Sequence, residues 1–279
     1  MKRTHISRRI ATLAGVTAAL LGAFGWSPAG EIPVANAGPT AQEIMDKVAL
    51  NLKLDGSEAV VKMTVIEKNG TQRGNKLSMA TKLYDAGKTE KRIYRFLEPA
   101  DVKGTGVLVF DYEAKADDLW IFMPALRKTR RIVSSDRGKA FMGSEFSFAD
   151  LTIPDLSNYG ATLVKEEAAG GEACYVVDVT PKDAAIGKEE GYSKKTYWVS
   201  KTSYAVRKGV FYDLAGAKLK ELNTSDIKLL DSAKKRFRAM KMEMANAQNG
   251  RKSVFQTEQI AFAPDTKDEY FTTAYLERQ

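Results

Sequence analysis

Few side chains in this sequence could do covalent chemistry. Its 279 residues hold one histidine, His5, and one cysteine, Cys174. A serine or cysteine nucleophile is usually activated by a neighbouring histidine base, and His5 lies in a stretch expected to be removed. The same loss takes away histidine ligation of a metal. Cys174 sits in Ala173-Cys-Tyr-Val-Val-Asp-Val179, a β-type run, so its thiol reads as a small buried hydrophobe. A lone cysteine also leaves the fold without an internal disulfide. Carboxylates are plentiful, but no spacing singles out two of them as an acid/base pair on a polymer substrate. The expectation is a protein that is not an enzyme, with no catalytic residues, no cofactor and no metal.

What remains is chemistry of binding. Phe122 to Phe148 reads FMPALRKTRRIVSSDRGKAFMGSEFSF. A tight basic cluster, Arg127, Lys128, Arg130 and Arg131, precedes Phe141, Met142, Phe146 and Phe148, which show no helical stripe. Basic residues beside aromatics suit either a nucleic acid or an apolar ligand with an anionic head. Nucleic-acid binding calls for a basic stripe interleaved with aromatics across several elements. Here one cluster stands among many acidic residues in a chain that carries an export signal, so no nucleic-acid partner is expected. Along a strand, Lys128 and Arg130 share one face while Arg127 and Arg131 share the other; a solvated edge is the simplest reading, and it guards that edge against aggregation.

The export signal is the N-terminus itself. Lys2, Arg3, Arg8 and Arg9 precede the apolar run Ile10 to Trp26, and Ala35-Asn36-Ala37 supplies small residues for a signal peptidase. Residues 1–37 are expected to be a cleaved secretory signal peptide and 38–279 a single periplasmic domain, soluble once processed. Ser7-Arg8-Arg9 hints at the twin-arginine route, but Ala11 and Thr12 follow where bulkier apolar residues belong, so Sec and twin-arginine export both stay open. Losing four basic residues and Glu31 takes the net charge from +8 to +5. That modest balance suits contact with anionic lipid or acidic envelope polymer.

The elements that must position the binding residues are mostly strands. Thr40-Ala-Gln-Glu43 reads as a capping box, and Ile44, Met45, Val48 and Leu52 fall on one side of a helix over 41–54. From Ala59 the period becomes two: Val61, Met63 and Val65 share one face, and Leu77, Met79 and Leu83 follow in the next run. Asn69-Gly70, Gly170-Gly171, Ala215-Gly216 and Asn249-Gly250 punctuate alternating runs as hairpin turns. Roughly a dozen antiparallel strands result, and a sheet of that size curls into a barrel or half-barrel. Met240, Met242 and Met244 line one face of a late strand; with Met63 and Met79 they form a methionine-rich inward set. Such a set serves as ordinary core filling or as a surface for variable apolar partners. Asp118-Leu-Trp-Ile-Phe-Met123 is apolar on both faces, so its outer side should also be covered, and Pro124 ends that strand.

Trp120 to Ile132 (WIFMPALRKTRRI) and Phe141 to Leu151 (FMGSEFSFADL), with Tyr197-Trp-Val-Ser-Lys201 and Tyr212-Asp-Leu-Ala-Gly216, resemble the LolA-like outer-membrane lipoprotein-sorting family, which is related to the periplasmic carriers LolA and LolB. The likeness extends through most of residues 38–279. It implies an unclosed antiparallel β-barrel with helices covering its concave side around an apolar cavity. It also implies carriage of lipoprotein acyl chains, or of another lipid, between envelope membranes, from an inner-membrane transporter to an outer-membrane acceptor. Other branches imply an accessory or sensor module of a lipid-exporting transporter of the resistance-nodulation-division type. On this reading Met63, Val65, Met79, Met240, Met242 and Met244 line the cavity, and Phe141, Met142, Phe146 and Phe148 form its lid or mouth. Gly138 and Gly143 let that loop bend. Arg127, Arg130 and Arg131 sit at the rim, where a lipid phosphate or carboxylate would be received.

Overall fold

Thr40 caps the first helix, α1 (Ala41–Asn51), as the capping box requires: Glu43 N–H donates to Thr40 Oγ1 at 3.2 Å and Thr40 N–H to Glu43 Oε2 at 2.7 Å. The computed structural model describes residues 38–278 apart from residue 154, so the expected signal segment, 1–37, lies outside the described residues. Pro39–Gln279 form one compact unit. Among the described residues no helix is long and apolar enough to cross a membrane.

The helix ends at Asn51, three residues earlier than its pattern predicts, because Asn51 turns to the sheet. Its Oδ1 accepts Phe237 N–H at 2.6 Å and its Nδ2 donates to the Ser203 carbonyl at 3.1 Å. The Arg238 guanidinium takes the carbonyls of Asn51 and Leu52, satisfying groups the helix would otherwise leave open.

Thirteen strands follow, joined into one antiparallel sheet. The first six are β1 (Gly56–Ile66), β2 (Gln72–Tyr84), β3 (Thr89–Glu98), β4 (Gly106–Tyr112), β5 (Asp118–Met123) and β6 (Lys128–Ile132). The other seven are β7 (Tyr159–Ala169), β8 (Glu172–Pro181), β9 (Lys194–Ser200), β10 (Val206–Tyr212), β11 (Lys218–Asp231), β12 (Arg236–Asn246) and β13 (Lys252–Phe262). A short helix, α2 (Ala184–Glu190), joins β8 to β9, and α3 (Thr273–Leu276) lies near the C-terminus. The order runs from β6 through β1, then β13 and on to β7. The chain therefore begins mid-sheet, meanders to one edge, crosses to the other edge through residues 133–158, and meanders back until β13 pairs with β1. The sheet does not close; of the barrel or half-barrel that the strand pattern allows it is the open form, which the family resemblance implies.

Both faces are covered. On the concave side α1 sets Ile44, Met45 and Val48 against Val177, Val179 and Val199, while the crossing segment fills the rest. On the convex side Ile93, Leu108 and Phe122 pack against Phe271 and Leu276 of the C-terminal segment. That cover explains why β5 is apolar on both faces: Leu119 and Ile121 look inward, Trp120 and Phe122 outward.

Candidate functional site: the apolar concave face and its cover

The inward residues of six strands build the site. Met63 of β1 faces Phe255 of β13, which in turn faces Met242 of β12. One register step along, Val65, Ser253, Met244, Leu222, Gly209 and Tyr197 form a row that runs unbroken from β1 to β9. Met63, Met244 and Phe255 belong to one buried cluster, with Met79, Met142 and Met242 packed half-buried against it. Val65 and Met240 are buried on the same strands.

Where the sequence predicts a lid, the crossing segment makes a small hairpin of its own. Phe141 N–H donates to the Phe146 carbonyl at 2.7 Å, Ser144 Oγ donates to the Phe141 carbonyl at 2.7 Å, and Ala140 bridges Ser147. The turn needs two left-handed residues, Met142 (φ 49) and Gly143 (φ 76); glycine serves there without strain. Gly138 is required for a different reason than bending. A Cβ there would come 3.0 Å from the Glu189 carbonyl oxygen, so the glycine permits close approach to α2.

The hairpin is seated in the concavity. Phe141 is fully buried, its ring 5.8 Å from Tyr94 and from Phe148 and 6.1 Å from Phe96; Phe146 stacks on Phe255 at 4.5 Å. These separations suit offset or edge contacts between aromatics. The space assigned to an apolar cavity is thus filled by the chain's own phenylalanines.

Charged groups that the sequence reading missed hold this cover down at both ends. At its tip, Glu145 N–H donates to Ser253 Oγ at 2.9 Å, Glu145 Oε2 accepts from Asn246 at 2.8 Å, and Arg251 reaches both Glu145 Oε1 and the Gly143 carbonyl at 2.9 Å. At its base, Asp111 accepts Ile153 N–H at 2.6 Å, Arg137 pairs with Asp117 at 2.8 Å, and Arg92, paired with Glu90 at 2.8 Å, donates to the Leu151 carbonyl. Burial, reinforced by the like charge of Asp117, pushes the Asp111 carboxyl up to about 7. Between the two ends, Tyr192 donates to Asp150 Oδ2 at 3.1 Å and itself accepts from Lys220 at 3.0 Å. A glutamate inside an otherwise apolar run, Glu145 among Phe141, Met142 and Phe146, was the one local signal that could have revealed a polar anchor.

Beside the base of the cover, a groove of about 470 Å³ lies between α1 and Ile153, Asp155, Leu156 and Ser157, with Leu50, Glu90 and Asp111 also on its walls. The rim arginines are split by the structure. Arg127 stands exposed at the β5–β6 turn in a left-handed conformation, Arg130 lies 3.8 Å from Asp136, and Arg131 pairs with Asp118.

A family model described as that of an uncharacterized protein matches residues 88–278, more than half of the chain. No curated protein matches it. Among solved structures, an outer membrane lipoprotein-sorting protein domain from Vibrio parahaemolyticus is 29% identical with a TM-score of 0.77, covering 85% of this chain and 98% of that one. A DUF1329 family protein from Desulfovibrio piger is 26% identical with a TM-score of 0.78, covering 85% and 97%. A LolA superfamily protein from Nitrosomonas europaea, 22% identical with a TM-score of 0.64 over 85% and 99%, shares the fold. With its half-barrel architecture and the motifs at 120–132 and 141–151, the chain belongs to the LolA-like outer-membrane lipoprotein-sorting protein family.

Proposed function

We propose that the protein is a periplasmic carrier that holds lipoprotein acyl chains, or another lipid, against its concave face and passes them between envelope membranes. The reading includes export by cleavage near Ala37 and no covalent step. One observation supports it above the rest. The methionine-rich concave face is covered by a segment that is no part of the sheet, 133–158, and whose phenylalanines occupy the place an acyl chain would take.

Carriage requires near-balance. An acyl chain gains about 0.8 kcal/mol per buried CH₂ in a bilayer, and a pocket must come close to that without exceeding it. A cover that withdraws its own aromatic rings when cargo enters supplies the balance, because the apolar surface of the sheet is never left bare. Methionine side chains then adjust to cargo of different shape.

The test is mass spectrometry of organic extracts of the protein isolated gently from the periplasm. A stoichiometric lipid or acylated peptide is expected. A protein that comes out empty, and that also refuses an added fluorescent fatty acid, would overturn the reading.

A further inference from the structure

The antiparallel meander places the β1–β2, β3–β4, β5–β6, β10–β11 and β12–β13 turns at one end of the half-barrel. That end is chemically distinct. The two most exposed large apolar side chains among the described residues are Leu126, 64% exposed, and Leu214, 58% exposed. Each sits at a turn tip there, on β5–β6 and β10–β11 respectively.

Five exposed cations stand at or beside three of these turns, Lys68 and Arg73 at β1–β2, Lys103 at β3–β4, and Arg127 and Lys128 at β5–β6 next to Leu126, none with an ion-pair partner among the described residues. The exposed acids of the same turns, Glu98 and Asp101, do not balance them. Elsewhere the sheet's basic residues are often matched, as Arg130 is by Asp136, Arg131 by Asp118 and Lys201 by Glu166. An unmatched positive end with leucines at its tips has the features of an interfacial anchor: apolar side chains that enter the acyl boundary, and cations that meet anionic headgroups. The tip of the aromatic hairpin lies at this same end, since Arg251 of the β12–β13 turn holds the Gly143 carbonyl.

We infer that this end of the half-barrel docks on an anionic phospholipid surface, with Leu126 and Leu214 inserted and Arg127 and Lys128 against the headgroups. Docking so would set the hairpin tip facing the bilayer. The inference stands apart from the cargo, because it concerns cargo-free protein on a membrane.

The experiment is co-sedimentation with vesicles of phosphatidylcholine alone or with 30% (about one lipid in three) phosphatidylglycerol, each variant being compared with the wild type in the same processed form. Binding to the anionic vesicles is expected, and it should weaken steeply as salt is raised. Arg127→Gln with Lys128→Gln should lower it about 30-fold, at roughly fivefold per cation. Lys115→Gln with Lys235→Gln removes the same charge from exposed positions at the opposite end and should leave binding unchanged. Leu126→Ser should weaken binding while keeping its salt dependence. All five positions are exposed, and an unchanged thermal midpoint checks that the fold survives. Equal binding to both vesicle types, or equal losses from the two glutamine pairs, would overturn the proposal. Lipid found in extracts of the Arg127→Gln/Lys128→Gln variant would leave the carrier reading standing whatever the vesicles show.

Discussion

Arg251 Nη1 lies 2.9 Å from Glu145 Oε1, joining the mid-sheet β12–β13 turn to the tip of the segment that crosses from the β6 edge to the β7 edge. The carboxylate is buried and the guanidinium about a quarter exposed. Removing the cation would strand a buried negative charge, which typically costs 3–5 kcal/mol, roughly, when a buried pair loses one partner. The hairpin can avoid that cost by lifting out. Arg251→Ala should therefore speed hydrogen exchange at the Phe141 amide, which is bonded to the Phe146 carbonyl, more than at amides in the centre of β1. Uniform loss of protection would mean that the cover and the sheet open as one.

Phe141 and Phe96 are in ring contact and almost equally buried, yet they belong to different parts of the fold. Phe96 is built into β3; Phe141 rides on the cover. Truncating a buried phenylalanine costs about 3–5 kcal/mol where the surroundings cannot relax. Phe96→Ala should show that loss in full as a lower thermal midpoint. Phe141→Ala should lower the midpoint less and strengthen uptake of a fluorescent fatty acid, because it frees room where cargo would lie. Equal midpoints with no gain in uptake would make Phe141 an ordinary core residue.

The base of the cover should respond to pH. Asp111, raised to about 7 by burial and then by Asp117, binds its proton more tightly folded than unfolded. Its contribution is complete below the ordinary carboxylate range and is lost as pH rises through about 7. The groups around it are Asp117, Arg92, Glu90 and, on the cover, the Ile153 amide. Stability should thus fall between roughly pH 4 and pH 7.5, by on the order of 4 kcal/mol from this group. Asp111→Asn keeps an acceptor for Ile153 N–H and should flatten that slope. Denaturant midpoints measured across the range decide the matter: a wild-type protein that gains stability as pH rises through 7 would show Asp111 ionised without penalty.

Much of this architecture was legible because it rests on local rules. The α1 cap, the hairpin turns and the inward alternation of Val61, Met63 and Val65 are each fixed within a few residues. So was the coverage of both faces of β5. The seating of the cover was not legible, since its anchors come from distant strands: Ser253, Asn246 and Arg251 meet Glu145 only after the sheet is assembled. The same holds for Asp111 and Arg92, whose partners Ile153 and Leu151 reach them only after the chain has crossed the sheet. The C-terminal segment likewise carried no period that would place Phe271 and Leu276 on the convex face.

That convex cover offers a last prediction. Gly106 opens β4, and a Cβ built there would lie 2.5 Å from Leu276 Cδ1, the far end of a flexible side chain in α3. Gly106→Ala should therefore displace Leu276, which is fully buried, rather than distort the strand. Overpacking of this kind costs about 1–3 kcal/mol. Leu276→Ala alone leaves a hole under α3, with a loss in the range of 2–5 kcal/mol, roughly, for a truncated leucine. In the double variant the added methyl enters the space the leucine vacated, so the two losses should fall short of their sum by about 1 kcal/mol or more. Denaturant unfolding of the four proteins gives that coupling directly. Strict additivity would mean that Gly106 is demanded by its own backbone, and that α3 rests on β4 without depending on the missing side chain.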